Sequence, residues 1–167
     1  LFRSQDVLAK AGGTAIQSRT GHAFLKAALR EHDAVYGGEM SAHHYFRDFV
    51  FCDSGMIPWL LVVELMGRSG LPLSAMVAER RAAFPSSGEI NFTVADVPAA
   101  RARVEAEFAA QAIGRDETDG LSLDMGDWRF NLRASNTEPL LRLNAESRGD
   151  RALLDRQVAR LRDLIAG

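Results

Sequence analysis

The sequence is poor in the features that identify a partner from bulk chemistry. It has a single cysteine, Cys52, in 167 residues, which excludes an intramolecular disulfide and fits a reducing compartment. Phe51 and Asp53 beside it bring no cation to lower its pKa, so Cys52 reads as a buried thiol rather than a nucleophile. Neither sign of charge predominates: 20 Lys and Arg stand against 22 Asp and Glu. No overall basic field therefore invites nucleic acid or an anionic membrane, and any anion must be bound at a local site. The longest apolar run, 56–66, is interrupted by Pro58 and Glu64 and is shorter than the roughly 20 residues that span a bilayer. No basic segment followed by an apolar one opens the chain, so no signal peptide is read. There is no internal repeat, no low-complexity tract and no Gly-Lys-Ser/Thr nucleotide loop. The expectation is a soluble cytoplasmic protein that binds neither nucleic acid nor membrane. The chain begins at Leu1 rather than Met, which suggests that more sequence lies upstream.

The residues present fall into two rhythms. Segment 6–11 reads as a short helix stopped by Gly12-Gly13, 14–18 as a short strand, and 22–31 as a helix with Phe24, Leu25, Ala28 and Leu29 at helical spacing. Segment 34–36 reads as a strand leading into Gly37-Gly38. Segment 55–66, apolar on nearly every face, reads as a helix packed on several sides. Helix alternating with strand favours an α/β layer. Residues 84–88 read as a linker. Beyond it come a strand at 89–94, a helix capped by Asp96 with Ala100, Val104 and Phe108 at four-residue steps, and three strands at 121–125, 127–133 and 140–146. Trp128, Phe130 and Leu132 alternate with polar residues, as on a strand with one buried face. A last helix runs from about Asp150, with Leu154, Val158, Leu161 and Ile165 on one stripe.

Two polar clusters could carry chemistry. In Gly37-Gly38-Glu39-Met40-Ser41-Ala42-His43-His44 the glycines would let backbone approach a ligand. Glu39 can accept two sugar hydroxyls, Ser41 can donate or accept, and His43 can polarise or protonate an oxygen near neutral pH. A plain polar surface loop reads the same residues equally well. Adjacent histidines on an extended segment face opposite ways, so His43 and His44, with distant His22, do not read as a metal site. His32, at a charged helix end, reads as solvated. The second cluster, Arg133-Ala134-Ser135-Asn136-Thr137-Glu138-Pro139, lies between two strands. Its main-chain N–H groups could form a nest for an anion and its guanidinium a bidentate clamp. An ordinary hairpin whose Asn and Thr satisfy their own backbone is the competing reading.

Taken together and in this order, the clusters have a family likeness. Gly38-Glu39-Met40-Ser41, with His43, resembles the sugar-binding loop of the α-D-phosphohexomutase superfamily, and Arg133 to Pro139 resembles the phosphate-binding loop of its last domain. Thr20-Gly21-His22, the 51–55 stretch and Phe84-Pro85 before Glu89-Ile90-Asn91 extend the likeness over nearly the whole chain. Met40 and Ser135-Asn136-Thr137 are similar to the bacterial phosphomannomutase/phosphoglucomutase group. Phosphoglucosamine mutases tend to carry Gln after the loop's Glu and a Ser-Gly-Thr turn. Ala42 stands where many relatives have Gly. Asn144 stands where some have a further Arg, a contact for which Arg142 is a substitute.

The resemblance implies a partial three-layer α/β/α domain (1–83, the C-terminal part of a third, sugar-recognition domain), a linker (84–88), and a small α+β domain with an antiparallel sheet (89–167, a fourth, phosphate-binding domain). It implies an enzyme that interconverts hexose 1-phosphate and hexose 6-phosphate, of mannose or glucose, through a phosphoserine and a bisphosphorylated sugar, with Mg²⁺ stabilising the charge in transfer. By the same likeness His22, Glu39, Ser41 and His43 would line the sugar cleft, with His43 assisting proton transfer, and Arg133, Ser135, Asn136 and Thr137 would hold the phosphate that is not reacting. The chain contains neither a phosphoserine segment like Thr-Ala-Ser-His-Asn-Pro nor an Asp-Gly-Asp-Gly-Asp metal loop. It therefore reads as a C-terminal fragment, inactive alone, with Mg²⁺ ligands elsewhere. A phosphoglucosamine mutase fragment and a non-catalytic phosphosugar-binding module are the alternatives, and self-association of the truncated domain over a bare sheet edge stays open.

Overall fold

The computed structural model describes residues 2–135 and 140–167. They form two compact units: Gln17–Ala78, and a second that joins the first 16 residues to Glu79–Gly167.

The Gln17–Ala78 unit opens with α2 (His22–Glu31), which follows α1 (Phe2–Lys10) in the chain. Its apolar stripe settles Leu29 against β1 (Tyr36–Gly38), which pairs antiparallel with β2 (His44–Phe46), itself paired with β3 (Cys52–Asp53). A Cβ on Gly37 would lie 3.2 Å from Leu29 Cδ1. The absent side chain at Gly37 thus gives Leu29 room to pack against β1. The strand expected at 34–36 begins at Tyr36. Segment 14–18 is not a strand, because no neighbouring strand among the described residues offers it a ladder. Cys52 is exposed rather than buried: β3 is a two-residue edge strand with nothing packed over its outer side.

Two helices follow, α3 (Met56–Ser69) and α4 (Leu73–Ala83), meeting at 96°. The expected helix at 55–66 is there, but its expected burial is not. None of its residues is buried, and Trp59, Leu60 and Leu61 are each more than half exposed. A helix apolar all round needs cover on several sides, and the three short strands of this unit are too few to supply it. No single helix among the described residues is long and apolar enough to cross a membrane.

The second unit holds most of the buried apolar residues. Its sheet has the order β4-β8-β7-β6-β5, all antiparallel, from β4 (Ser86–Thr93), β5 (Gly114–Asp116), β6 (Leu121–Asp124), β7 (Trp128–Ala134) and β8 (Leu140–Ser147). Helices α5 (Val97–Phe108) and α6 (Arg151–Ala166) cover one face. Each starts on an aspartate whose carboxylate accepts a main-chain N–H three residues on: Asp96 from Ala99 at 2.9 Å and Asp150 from Leu153 at 2.8 Å. Ala100, Val104 and Phe108 of α5 meet Leu123, Phe130 and Leu143 of the sheet and Leu154, Leu161 and Ile165 of α6, all buried. Each such Leu or Phe contributes about 1.5–3 kcal/mol through burial. Ser86 to Gly88, read as linker, already belong to β4, where Ser86 pairs with Glu146 across a bulge. Helix α1 is tied to this unit by Arg148, whose guanidinium donates to Asp6 at 2.9 and 3.1 Å and holds that carboxyl below its ordinary pKa.

Candidate functional site

In the Gln17–Ala78 unit a cleft of about 400 Å³ is lined by His22, Lys26, Glu39, Ser41, His43, Tyr45 and Asp53. Four of the residues expected to hold a sugar are therefore side by side. His22 is the first residue of α2, and Glu39, Ser41 and His43 sit on the short loop between β1 and β2. That loop is closed by two main-chain bonds, Glu39 N–H to His43 O at 2.9 Å and Ala42 N–H to Glu39 O at 3.1 Å. It forces Ala42 to φ 65°, the left-handed region, where glycine is the unstrained choice. A glycine at this position would be free of that strain.

Glu39 is held in the cleft through both carboxylate oxygens. Its Oε1 accepts from the Tyr45 hydroxyl at 2.7 Å and its Oε2 from the main-chain N–H of Gly21 at 3.2 Å. An ionised carboxylate offers about four acceptor positions, so two bonds orient it and leave capacity for ligand hydroxyls. His43 Nδ1 lies 2.6 Å from Asp53 Oδ2. That bond, with the aspartate's charge, raises the imidazole pKa above its ordinary value and lowers the carboxyl's. His44 turns the other way, its Nδ1 2.7 Å from the Tyr36 hydroxyl. Among the described residues, no three His, Cys, Asp or Glu side chains converge to hold a metal ion.

Three cleft residues escaped the sequence reading. Lys26 was recoverable, since it lies four residues after His22 on the same helix face; its Nζ sits 5.9 Å from the Tyr45 ring. Tyr45 is two residues from His43 on an extended segment, so it shares its face. Asp53 lies in the 51–55 stretch of the family likeness, but its place in the cleft is set by the β2–β3 register, Tyr45 opposite Asp53.

Arg133 and Ser135 belong to the other unit, at the end of β7. The Ser135 N–H donates to Leu140 O at 2.8 Å; Asn136 and Thr137, expected to complete the phosphate loop, lie outside the described residues. Arg133 Nη1 is 3.5 Å from Asp119 Oδ2. Directly across the ladder stands Arg142, with Nη1 3.7 Å from Glu89 Oε1. Like charges facing each other on adjacent strands cost stability, and Asp119 and Glu89 offset that cost. Two guanidinia therefore stand opposite each other on one face of the sheet, at the end of β7 and the start of β8. Gly120 makes this arrangement possible: with φ 83°, a Cβ there would lie 2.6 Å from Leu132 O and 2.9 Å from Arg133 Cα. A larger hollow of about 600 Å³ lies beside α6, but its only cation, Arg103, is spent on the carbonyls of Leu164 and Ile165.

Residues 3–84 match the family described as phosphoglucomutase/phosphomannomutase, alpha/beta/alpha domain III, and residues 89–164 match its C-terminal domain. The chain is 59% identical to a phosphomannomutase of Salmonella typhimurium strain LT2 over 99% of its own length and 36% of the relative's. It is 56% identical to a phosphomannomutase of Escherichia coli strain K12 over 98% of its length and 35% of the relative's. Among solved structures, a phosphoglucomutase/phosphomannomutase family protein from Burkholderia thailandensis superposes with a TM-score of 0.75 at 31% identity, covering 94% of this chain and 33% of that one. The chain thus spans little more than a third of the length of the curated relatives that it matches.

Proposed function

Because this chain belongs to the phosphoglucomutase/phosphomannomutase family, we propose that it forms the sugar- and phosphate-holding part of an enzyme interconverting hexose 1-phosphate and hexose 6-phosphate. The observation that carries this reading is the Glu39 carboxylate, oriented by Tyr45 and Gly21 among His22, Ser41 and His43. A fixed acceptor beside a hydroxyl and two imidazoles is chemistry suited to a polyol. Arg133, with Ser135, Asn136 and Thr137, is assigned to the phosphate that is not reacting, and Arg142 stands opposite Arg133 across the ladder. Binding energy at that remote phosphate positions the reacting end of the sugar. His43 assists the proton transfer that accompanies phosphoryl transfer at a sugar oxygen.

The phosphoryl donor is a phosphoserine outside this chain, and both mannose and glucose phosphates are the proposed substrates. Mg²⁺, when bound, stabilises charge on the transferring phosphoryl group. The described residues offer it no convergent ligand set, so its site is assigned elsewhere and no step here depends on it. Residues 1–83 are taken as part of the third domain and 89–167 as the fourth, joined at 84–88, in a cytoplasmic enzyme. The uncovered apolar surface of α3, with Trp59, Leu60 and Leu61 exposed around the helix, is the surface through which the isolated chain would self-associate. Light scattering should then show a mass that rises with concentration and falls on Leu61→Lys.

The experiment is a titration of the isotope-labelled chain with mannose 1-phosphate and glucose 1-phosphate. Amide shifts are expected at Ser41 and His43 and at Arg133 and Ser135, with the latter pair losing its response in Arg133→Ala. A chain that shows no shift at either cluster with saturating hexose phosphate overturns the reading.

A further inference from the structure

Asp53 turns its carboxylate back on its own hairpin. Oδ2 meets His43 Nδ1 at 2.6 Å, and Oδ1 accepts the main-chain N–H of His44 at 2.9 Å. Both oxygens are thereby fixed by consecutive residues at the start of β2. The turn returning the chain to this register is strained: Val50 and Phe51 both sit at φ 55°, which is costly for a β-branched or bulky side chain. Strain of this kind persists where the surrounding structure over-determines it, and it clusters at working sites. What this strained turn delivers to the cleft is Asp53.

We propose that Asp53 is the positioning residue for His43, holding the imidazole with its Nδ1–H on the carboxylate and leaving Nε2 as the nitrogen presented to a sugar oxygen. The proposal rests on reading the cleft as a sugar site. Its chemistry follows from the donor inventory. A carboxylate only accepts, so the ring nitrogen facing it must carry the hydrogen, and in the neutral ring the other nitrogen is then the acceptor. Neutral His43 can thus take a proton from a sugar hydroxyl at Nε2, and protonated His43 can return one from the same atom. His44 cannot substitute, because its ring is engaged by Tyr36 on the opposite side.

The groups facing His43 are Asp53 from β3, Glu39 and Ser41 from its own loop, Tyr45 from β2, and His22 and Lys26 from α2. The two carboxylates favour the imidazolium, Asp53 more strongly than Glu39, and desolvation opposes them. The pKa of His43 is therefore raised. As pH rises, His43 stays charged past its ordinary value of about 6.5 and loses its proton only at the raised one. Removing the Asp53 charge moves that transition down.

The test is long-range proton–nitrogen NMR of the histidine rings of the 167-residue chain, from about pH 5 to 9, where histidine titrates. Wild type should show neutral His43 as the Nδ1–H tautomer, titrating above the ordinary histidine midpoint. Asp53→Asn should keep an acceptor oxygen and the tautomer while the midpoint falls; Asp53→Ala should lose both. An Nε2–H tautomer in wild type, or a midpoint that neither variant moves, overturns the proposal. The tautomer needs no variant, so a misfolded mutant does not remove the test. The two readings fail separately: a wrong tautomer removes the role of Asp53 with the sugar site intact, whereas a chain silent to hexose phosphate removes the sugar site with the pair intact.

Discussion

The Tyr45 hydroxyl donates to Glu39 Oε1 at 2.7 Å from a side chain that is almost wholly buried. Burial, and then the bond to Glu39, push the phenol's pKa up to about 12, so Tyr45 remains a donor at every pH at which the protein would work. Glu39 is thus oriented from below by a proton that does not leave, and from the side by the Gly21 N–H at 3.2 Å.

Tyr45→Phe removes that donor while keeping the ring. A hydrogen bond to a charged group contributes about 1.5–3 kcal/mol, less what water recovers at this partly buried carboxylate, so urea unfolding should show a loss of about 1–2 kcal/mol. The hexose phosphate needed for half-maximal shift at Ser41 should also rise several-fold. Unchanged stability and an unchanged titration would show that Tyr45 does not orient Glu39.

Ala42 sits at φ 65° in the loop that carries Ser41 and His43. Replacing it with glycine relieves a left-handed strain of roughly 1–2 kcal/mol but adds freedom to the unfolded chain, so Ala42→Gly should stabilise by up to about 1 kcal/mol in thermal melts. Destabilisation would mean that the Ala42 methyl makes a contact worth more than the strain.

Gly120→Ala is expected to do the opposite. The new Cβ would lie 2.6 Å from Leu132 O and 2.9 Å from Arg133 Cα, at a positive φ, and neither backbone atom can yield cheaply. A loss of about 2–4 kcal/mol in urea unfolding should result, along with displacement of the Arg133 and Ser135 amide resonances. A variant as stable as wild type would contradict the close approach of this turn to β7.

What was legible in the sequence was what local periodicity records. Trp128, Phe130 and Leu132 alternate because one face of β7 meets α5 and α6, and Asp96 and Asp150 announce the two helices that they cap. β5 was missed because its three residues, Gly114 to Asp116, carry no alternation and exist as a strand only by pairing with β6. Helix α3 was found, but its cover was misjudged: a sequence shows that a face is apolar and not what lies over it. In the cleft, His22, Glu39, Ser41 and His43 lie in motifs that can be read along the chain, whereas Lys26 and Tyr45 went unread although helical and strand spacing place them on the same faces. The place of Asp53 in the cleft becomes visible only once the hairpin register is known.

The sugar and phosphate grip proposed for this chain is measured directly by one chimera. The segment of the Salmonella typhimurium phosphomannomutase that this chain matches, 36% of its length, is replaced by the chain, and conversion of mannose 1-phosphate to mannose 6-phosphate is followed. The prediction is a folded chimera that turns over substrate, and that loses most of its kcat/KM on Glu39→Gln and on Arg133→Ala without losing its fold. A chimera with the melting profile of the parent enzyme but no turnover, or with turnover that neither substitution reduces, would contradict it.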